Sequence, residues 1–409
     1  MGIRRFGAMA TYALALATGV GGCYTKNDHI REPLIQKPLM TESPKQNPVP
    51  INSERAGKKC YYQVATPGQP FDYALWQGKR SCAESTCAPP QPTTLKTNQE
   101  VIDFEKRANA VRPKFKKLPN SEKELSAFIN QAQKDNRITR AKKGDRTIYD
   151  AIQREIDSAR PEQTVHIVFG FTPAVEGQTA FFNELLHKGK DGYKINGITH
   201  IAEEMTNSAQ AKVDRYLFTG DIKLMIPLES RRWEGFDHSP MASDAEVKER
   251  SRTFEIAQTE CIDMVMPDIP QESRGSMDFY YLLGAREEYA AEWVGMRLNP
   301  GTRNVVFWRW GASHAEKNRL PFYIKIQDPD AKVVSVVLNG GSYVDAYAFD
   351  RVLRGLGWLD DTFILKLEEG DRDAKYIFHI PTNGRERMWG ISTIEDPVIS
   401  HIFDSPAKK

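Results

Sequence analysis

Beyond its first two dozen residues the chain has no apolar run long enough to cross a bilayer, which excludes a protein of several membrane helices. Charge of one sign is also missing. Lys and Arg number 56 against 54 Asp and Glu, a net charge of +2 over 409 residues, so nothing in the balance points to nucleic acid as a partner. Cysteine is scarce, at five residues, and the spacings match no zinc pattern. Several enzyme signatures are absent. No Gly-x-Ser-x-Gly elbow marks a common α/β serine hydrolase. There is neither a Gly-x-x-x-x-Gly-Lys-Ser/Thr phosphate loop nor a His-Glu-x-x-His zinc helix. Asn339-Gly340-Gly341-Ser342 is glycine-rich but reads as a turn after a strand. What is present is 40% hydrophobic residues, enough for the packed core of one large domain or two small ones.

The N-terminus carries the clearest local signal. Arg4 and Arg5 give a positive start, and Ala8 to Val20 an apolar core too short and too rich in Ala and Gly to span a membrane comfortably. Val20-Gly21-Gly22-Cys23 follows and resembles the bacterial lipobox, in which small residues precede a cysteine that becomes the acylated N-terminus. An ordinary secretory signal is the alternative. The expectation is a signal peptide over 1–22, Cys23 as lipid anchor, and a mature chain held at a membrane by acyl chains. Tyr24 follows where an Asp would favour inner-membrane retention, so the expected address is the bacterial cell envelope, at the outer membrane. Export implies an oxidising compartment. Cys60, Cys82, Cys87 and Cys261 are then disulfide candidates, in any of three pairings, although Cys261 also suits a free core thiol.

Residues 23–100 are rich in Pro, Lys, Gln, Thr and Ser and read as a disordered polar tether, with a candidate cysteine-stapled knot from Cys60 to Cys87. Helical patterning begins near Val101, and Ser121 with Glu124 forms a capping-box pattern. From Thr164 strands and helices alternate. Strands are expected at Val165–Phe169, Ile198–Ala202, Ile262–Met266, Val305–Trp308, Lys332–Leu338 and Lys375–Ile380, with a long helix from Met277 to Leu298. This order predicts an α/β fold over 101–400: a mostly parallel sheet flanked by helices, with 401–409 as a tail. The polar stretch Thr206 to Thr259, which contains Trp233, is expected to form a helical lid. Ligands of such sheets bind beyond the carboxyl ends of the strands. The loops after Phe169, Ala202, Met266 and Trp310 are therefore where chemistry is sought.

Four segments line up there: Gly170-Phe171-Thr172-Pro173, Thr199-His200-Ile201-Ala202-Glu203-Glu204-Met205, Arg286-Glu287-Glu288-Tyr289, and Gly311-Ala312-Ser313-His314. Together they resemble the superfamily that includes the ChaN haem-binding lipoproteins, the Tiki and TraB proteins, and the erythromycin esterases. That family carries two Gly-x-x-His motifs, one after an early strand and one after a late strand. The resemblance spans Thr164 to Ile380 and implies either a haem-like or metal-containing ligand at the sheet edge, or a peptidase or esterase activity. The second motif is intact in Gly311 and His314. The first is not, because Phe171 and Pro173 stand where the family has Glu and His, and Pro offers no donor or ligand. That loss places binding above hydrolysis at this point, with a decayed scaffold as a third reading.

Residue by residue, His314 is the leading candidate: an imidazole just past a strand, among small neighbours, able to ligate a metal or haem iron or to act as a base. Glu204 is its expected acidic partner, as ligand or orienter, or else a solvated loop carboxylate. Asp268 could reach the edge or simply form a turn. Arg286 could clamp an acidic group, although a surface ion pair with Glu287 or Glu288 is the blander account. His200 and His166 lie inside strands, where a structural role is expected. Trp308 and Trp310 read as core, with one as a candidate wall for a flat cofactor.

Overall fold

The computed structural model describes residues 98–116, 119, 121–141, 146–171, 177–187, 194–219, 244–269, 283–298, 303–339, 343–369 and 374–380. Cys23, Cys60, Cys82, Cys87, Thr172, Pro173 and Trp233 lie outside the described residues, as do the expected signal, knot and tail. Among the described residues two helices come first, α1 (Asn98–Val111) and α2 (Glu122–Lys134). Ser121 caps α2 as expected: its Oγ accepts from the Glu124 amide at 3.3 Å and donates to the Glu124 carboxylate at 2.9 Å. Then come β1 (Ile138–Ala141), α3 (Thr147–Asp157), β2 (Val165–Phe171), α4 (Gln178–Leu186) and β3 (His200–Glu203). A 3-10 turn (Asn207–Ala209) leads to α5 (Gln210–Thr219), α6 (Asp244–Glu260), β4 (Asp263–Val265), α7 (Leu283–Arg297) and β5 (Val305–Gly311). A second 3-10 turn (Ala312–Ala315) precedes α8 (Leu320–Gln327), β6 (Lys332–Leu338), α9 (Tyr343–Gly355), β7 (Thr362–Lys366) and β8 (Tyr376–His379).

The eight strands form one sheet in the order β1-β7-β8-β6-β2-β5-β3-β4. The six from β8 to β4 run parallel, and β7 lies antiparallel to both its neighbours. This is the expected α/β class. All six expected strands are present within a few residues, and the structure adds β1 and β7 at one edge.

Alternation along the central strands sorts the core into two layers. Val165, Ile167, Phe169 and Phe307 face one layer, with α3, α4, α5 and α6. Val168, Val306, Trp308 and Trp310 face the other, with α1, α2, α7, α8 and α9. Buried on both faces, β2 and β5 read as near-continuous apolar runs, as a central parallel strand must.

Two consequences position the site. The chain leaves β2 for α4 on one face and leaves neighbouring β5 for α8 on the other. Connections therefore diverge between β2 and β5, and a crevice at the carboxyl ends is expected there. The expected lid is different in kind. In its described parts it consists of α5 and α6, whose Val213, Tyr216, Leu217, Phe254, Ile256 and Ala257 are buried in the first core layer. They wall the sheet instead of covering its rim, because their apolar residues need that face.

Candidate functional site

Strand register brings the candidate residues together. Glu203 pairs with Arg309 across β3 and β5, and Phe171 pairs with Gly311 across β2 and β5. Successive strand residues point to opposite faces, so Glu203 and Glu204 part company. On the face of the first layer, Glu203 takes a bidentate pair of hydrogen bonds from Arg309, at 2.6 and 2.5 Å. Glu204 turns to the other face, beside Gly311 and His314. Beyond β4, Asp268 is tied to the segment after β3, its amide donating to the Met205 carbonyl at 2.8 Å.

Arg286, on α7, binds these pieces. Its Nε and Nη2 donate to the two Asp268 carboxylate oxygens, each at 2.8 Å, and Nη2 also donates to Glu204 Oε1 at 2.7 Å. Glu204 Oε2 accepts the Gly311 amide at 2.7 Å. Arg286 is fully buried. Burial alone would push its pKa down, but Asp268 and Glu204 outweigh it and hold the guanidinium above its ordinary value. The surface ion pair is thus not what forms, and Asp268 is the carboxylate half of a buried fork pair instead of a plain turn residue.

The 3-10 turn after β5 carries His314 over the end of β2. A Cβ on Gly170 would lie 2.8 Å from the Ala315 Cβ and 2.9 Å from the Ala312 Cα, so only glycine lets the turn settle there. The His314 Nδ1 then lies 2.6 Å from Glu287 Oε1. A carboxylate accepts, so Nδ1 donates, and in the neutral ring Nε2 is left with the lone pair. Glu204 Oε1 stands 3.7 Å from Nε2, which makes no hydrogen bond among the described residues. Trp310 packs edge to face on the imidazole, with centroids 5.2 Å apart. The open rim expected for His314 is not what the fold provides: the residue is only 3% exposed, enclosed by Trp310, Glu287 and the turn.

Around Glu287 lies a shell that the sequence reading missed. Arg319 Nε donates to Glu287 Oε1 at 3.0 Å. Arg112 Nη2 lies 3.8 Å from Glu287 Oε2 and donates to the Tyr323 hydroxyl at 2.8 Å. Next along α7, burial pushes the Glu288 carboxyl up to about 7, and Glu292 adds to it. The available signal was α7 itself, whose run Tyr289-Ala290-Ala291 and Trp293-Val294 is apolar around much of its circumference. Charges on so buried a helix must be paired.

The remaining candidates sit elsewhere. His200 begins β3, its Nε2 3.7 Å from Asp263, and it pairs with Val306 three residues before the Glu203–Arg309 level. That is roughly 10 Å down the sheet from the rim. His166 is buried mid-strand and accepts the Trp308 indole N–H at 2.9 Å; burial, then Lys325, pushes it down to about 3. Phe171 packs edge to face on Phe182 and lies 6.0 Å below the Arg309 guanidinium. Cys261 is disulfide-bonded, so it is not a free core thiol. It sits at φ 59° before β4, and the other four cysteines lie outside the described residues.

The donor set can be tested against the implied cofactors. A bare divalent ion wants three or four protein ligands. Among the described residues no three His, Cys, Asp or Glu side chains gather to hold one. Glu204 already spends both oxygens on Arg286 and Gly311. Haem iron needs only one imidazole, oriented through its other nitrogen, and His314 meets that. But the residue is only 3% exposed and its Nε2 faces Glu204 Oε1 at 3.7 Å, which leaves no room along the lone pair for a macrocycle. Among the described residues, then, the site fits neither group. No family model, curated protein or solved structure matches the chain.

Proposed function

We propose that the chain is a lipid-anchored cell-envelope protein whose α/β domain binds a small carbonyl ligand at the carboxyl edge of its sheet and hydrolyses it without a bare metal ion. His314 is the general base. The observation that carries this reading is the 2.6 Å contact from His314 Nδ1 to Glu287, with Nε2 left unbonded among the described residues. A histidine fixed at one nitrogen by a carboxylate takes a proton from water at the other and later returns it to the leaving group. Water attacks the carbonyl carbon, its proton passes to Nε2, and the imidazolium so formed faces Glu287 on one side and Glu204 on the other. The esterase branch of the resembling superfamily agrees with this chemistry. The narrow exposure of the ring restricts access to a slender acyl group. The disulfide at Cys261 supports an oxidising, extracytoplasmic location.

The test is a panel of nitrophenyl esters offered to the purified mature protein with and without chelator. Turnover should be indifferent to chelator and fall about 100- to 10,000-fold in His314→Ala. A parallel haemin titration should give no His314-dependent absorption band. Silence on every ester, together with such a band, would return the site to haem.

A further inference from the structure

The site residue farthest from the others in sequence lies at the end of α1, the helix that follows the polar N-terminal segment. Arg112, just past the end of α1, is 5% exposed. Its Nη1 donates to Glu105 at 3.1 Å and to Asn109 at 3.0 Å, both on α1. Its Nη2 donates to Tyr323 on α8 and faces Glu287 Oε2 at 3.8 Å. Glu105 reaches α7 directly, accepting the Gly284 amide at 2.7 Å. Gly284 has no side chain where this happens: a Cβ there would meet Glu105 Oε1 at 2.4 Å and Arg112 Nη2 at 2.6 Å. Arg319 closes the ring, with Nε on Glu287 Oε1 and Nη1 3.8 Å from Glu105. Glu287 is therefore held from three directions: by His314 and Arg319 at one oxygen and by Arg112 opposite the other.

We infer that Arg112 is a positioning residue. Through Glu287 it sets the orientation of His314, so the helix that follows the tether is a working part of the site. A buried carboxylate with an uncompensated oxygen rotates toward whatever cation remains. Without Arg112, Arg319 alone pulls on Glu287, and the 2.6 Å contact to Nδ1 lengthens. Glu105 anchors Arg112, and the bare backbone at Gly284 gives both side chains room against α7. The consequence for hydrolysis rests on the reading of His314 as general base, whereas the coupling itself does not.

The experiment follows the His314 Nδ1 proton by proton NMR on the full chain at neutral pH. In the wild type it should give a far-downfield resonance that disappears in His314→Ala. In Arg112→Met it should move upfield or broaden away, and ester turnover should fall about 10- to 100-fold, as loss of an outer-shell support commonly costs. Arg112→Lys should restore part of both. Arg107→Ala, at an exposed position of the same helix, should change neither. If Arg112→Met does not fold, Glu105→Gln, which leaves Arg112 in place but unanchored, should shift the resonance in the same direction. A folded Arg112→Met or Glu105→Gln with the wild-type resonance overturns the inference, as does a wild type with no such resonance. A shifted resonance in a protein that hydrolyses no ester leaves the positioning role standing and removes the hydrolase reading alone.

Discussion

Two glycines of the motif segments do different work, and the difference predicts their mutants. A methyl on Gly170 would strike the backbone and side chain of the turn that holds His314, with approaches of 2.8 and 2.9 Å. A methyl on Gly311 would stand 3.5 Å from both Glu204 Oε2 and the His314 Cδ2, which is ordinary contact. Gly170→Ala should lose about 1–3 kcal/mol in urea unfolding, while Gly311→Ala stays within about 0.5 kcal/mol of wild type. Equal stability of the two variants would contradict the placement of the turn. At this scale the sequence was a partial guide. His314 and Glu204 drew notice because they follow strand ends of a parallel sheet, whereas Asp268 and Arg286, expected as a turn residue and a surface ion pair, form a buried fork instead. Glu287, Arg319 and Arg112 were not legible, because a charge beside other charges on a helix reads as a solvated face until the burial of that helix is known. His200 drew notice through its motif, but strand position decides the matter: it sits at the wrong end of β3.

Among elements, α3 is stapled to the amino-terminal side of the sheet by one carboxylate. Glu155 pairs with Lys332 at 2.9 Å, at the start of β6, and with Lys375 at 2.7 Å, just before β8, and it accepts the Tyr376 hydroxyl at 2.5 Å. Burial pushes its pKa up, but the bonds from Lys375, Tyr376 and Lys332 outweigh burial and bring it down to about 2 from 4.5. A depressed folded pKa stabilises above the unfolded value, and that stability fades as pH falls from about 4.5 toward 2. The contribution at neutral pH is on the order of 3 kcal/mol. Glu155→Gln should therefore be clearly less stable than wild type at pH 7 by chemical denaturation, with the gap closing at pH 3. A gap that stays constant with pH would remove this account. The six central strands announced themselves as β-branched runs bounded by turns. The edge strands did not. β1, Ile-Thr-Arg-Ala, has no apolar alternation, and β7, Thr-Phe-Ile-Leu-Lys, is an apolar run too short to tell from a helix segment. The described parts of the expected lid lie against the sheet for a related reason, since a polar helix can still hold enough apolar residues on one side to wall a sheet.

At the scale of the whole molecule, the described residues contain no helix long and apolar enough to cross a membrane, and attachment through Cys23 is part of the proposed function. Changing Cys23→Ser should move the protein from the membrane fraction to the soluble fraction of cells, and unchanged membrane association would refute acylation there. The fold then places the buried His314–Glu287 pair at the divergence of β2 and β5, with Arg112, just past the end of α1, beside it. All of this depends on which nitrogen of one ring faces the carboxylate. The most direct measurement is long-range proton–nitrogen NMR of the full chain labelled with nitrogen-15 histidine, with His314 assigned by its loss in His314→Ala. The account predicts a proton fixed on Nδ1 at neutral pH that is disturbed by Glu287→Gln. A ring that carries its proton on Nε2 with Nδ1 bare, and that ignores Glu287→Gln, would contradict it.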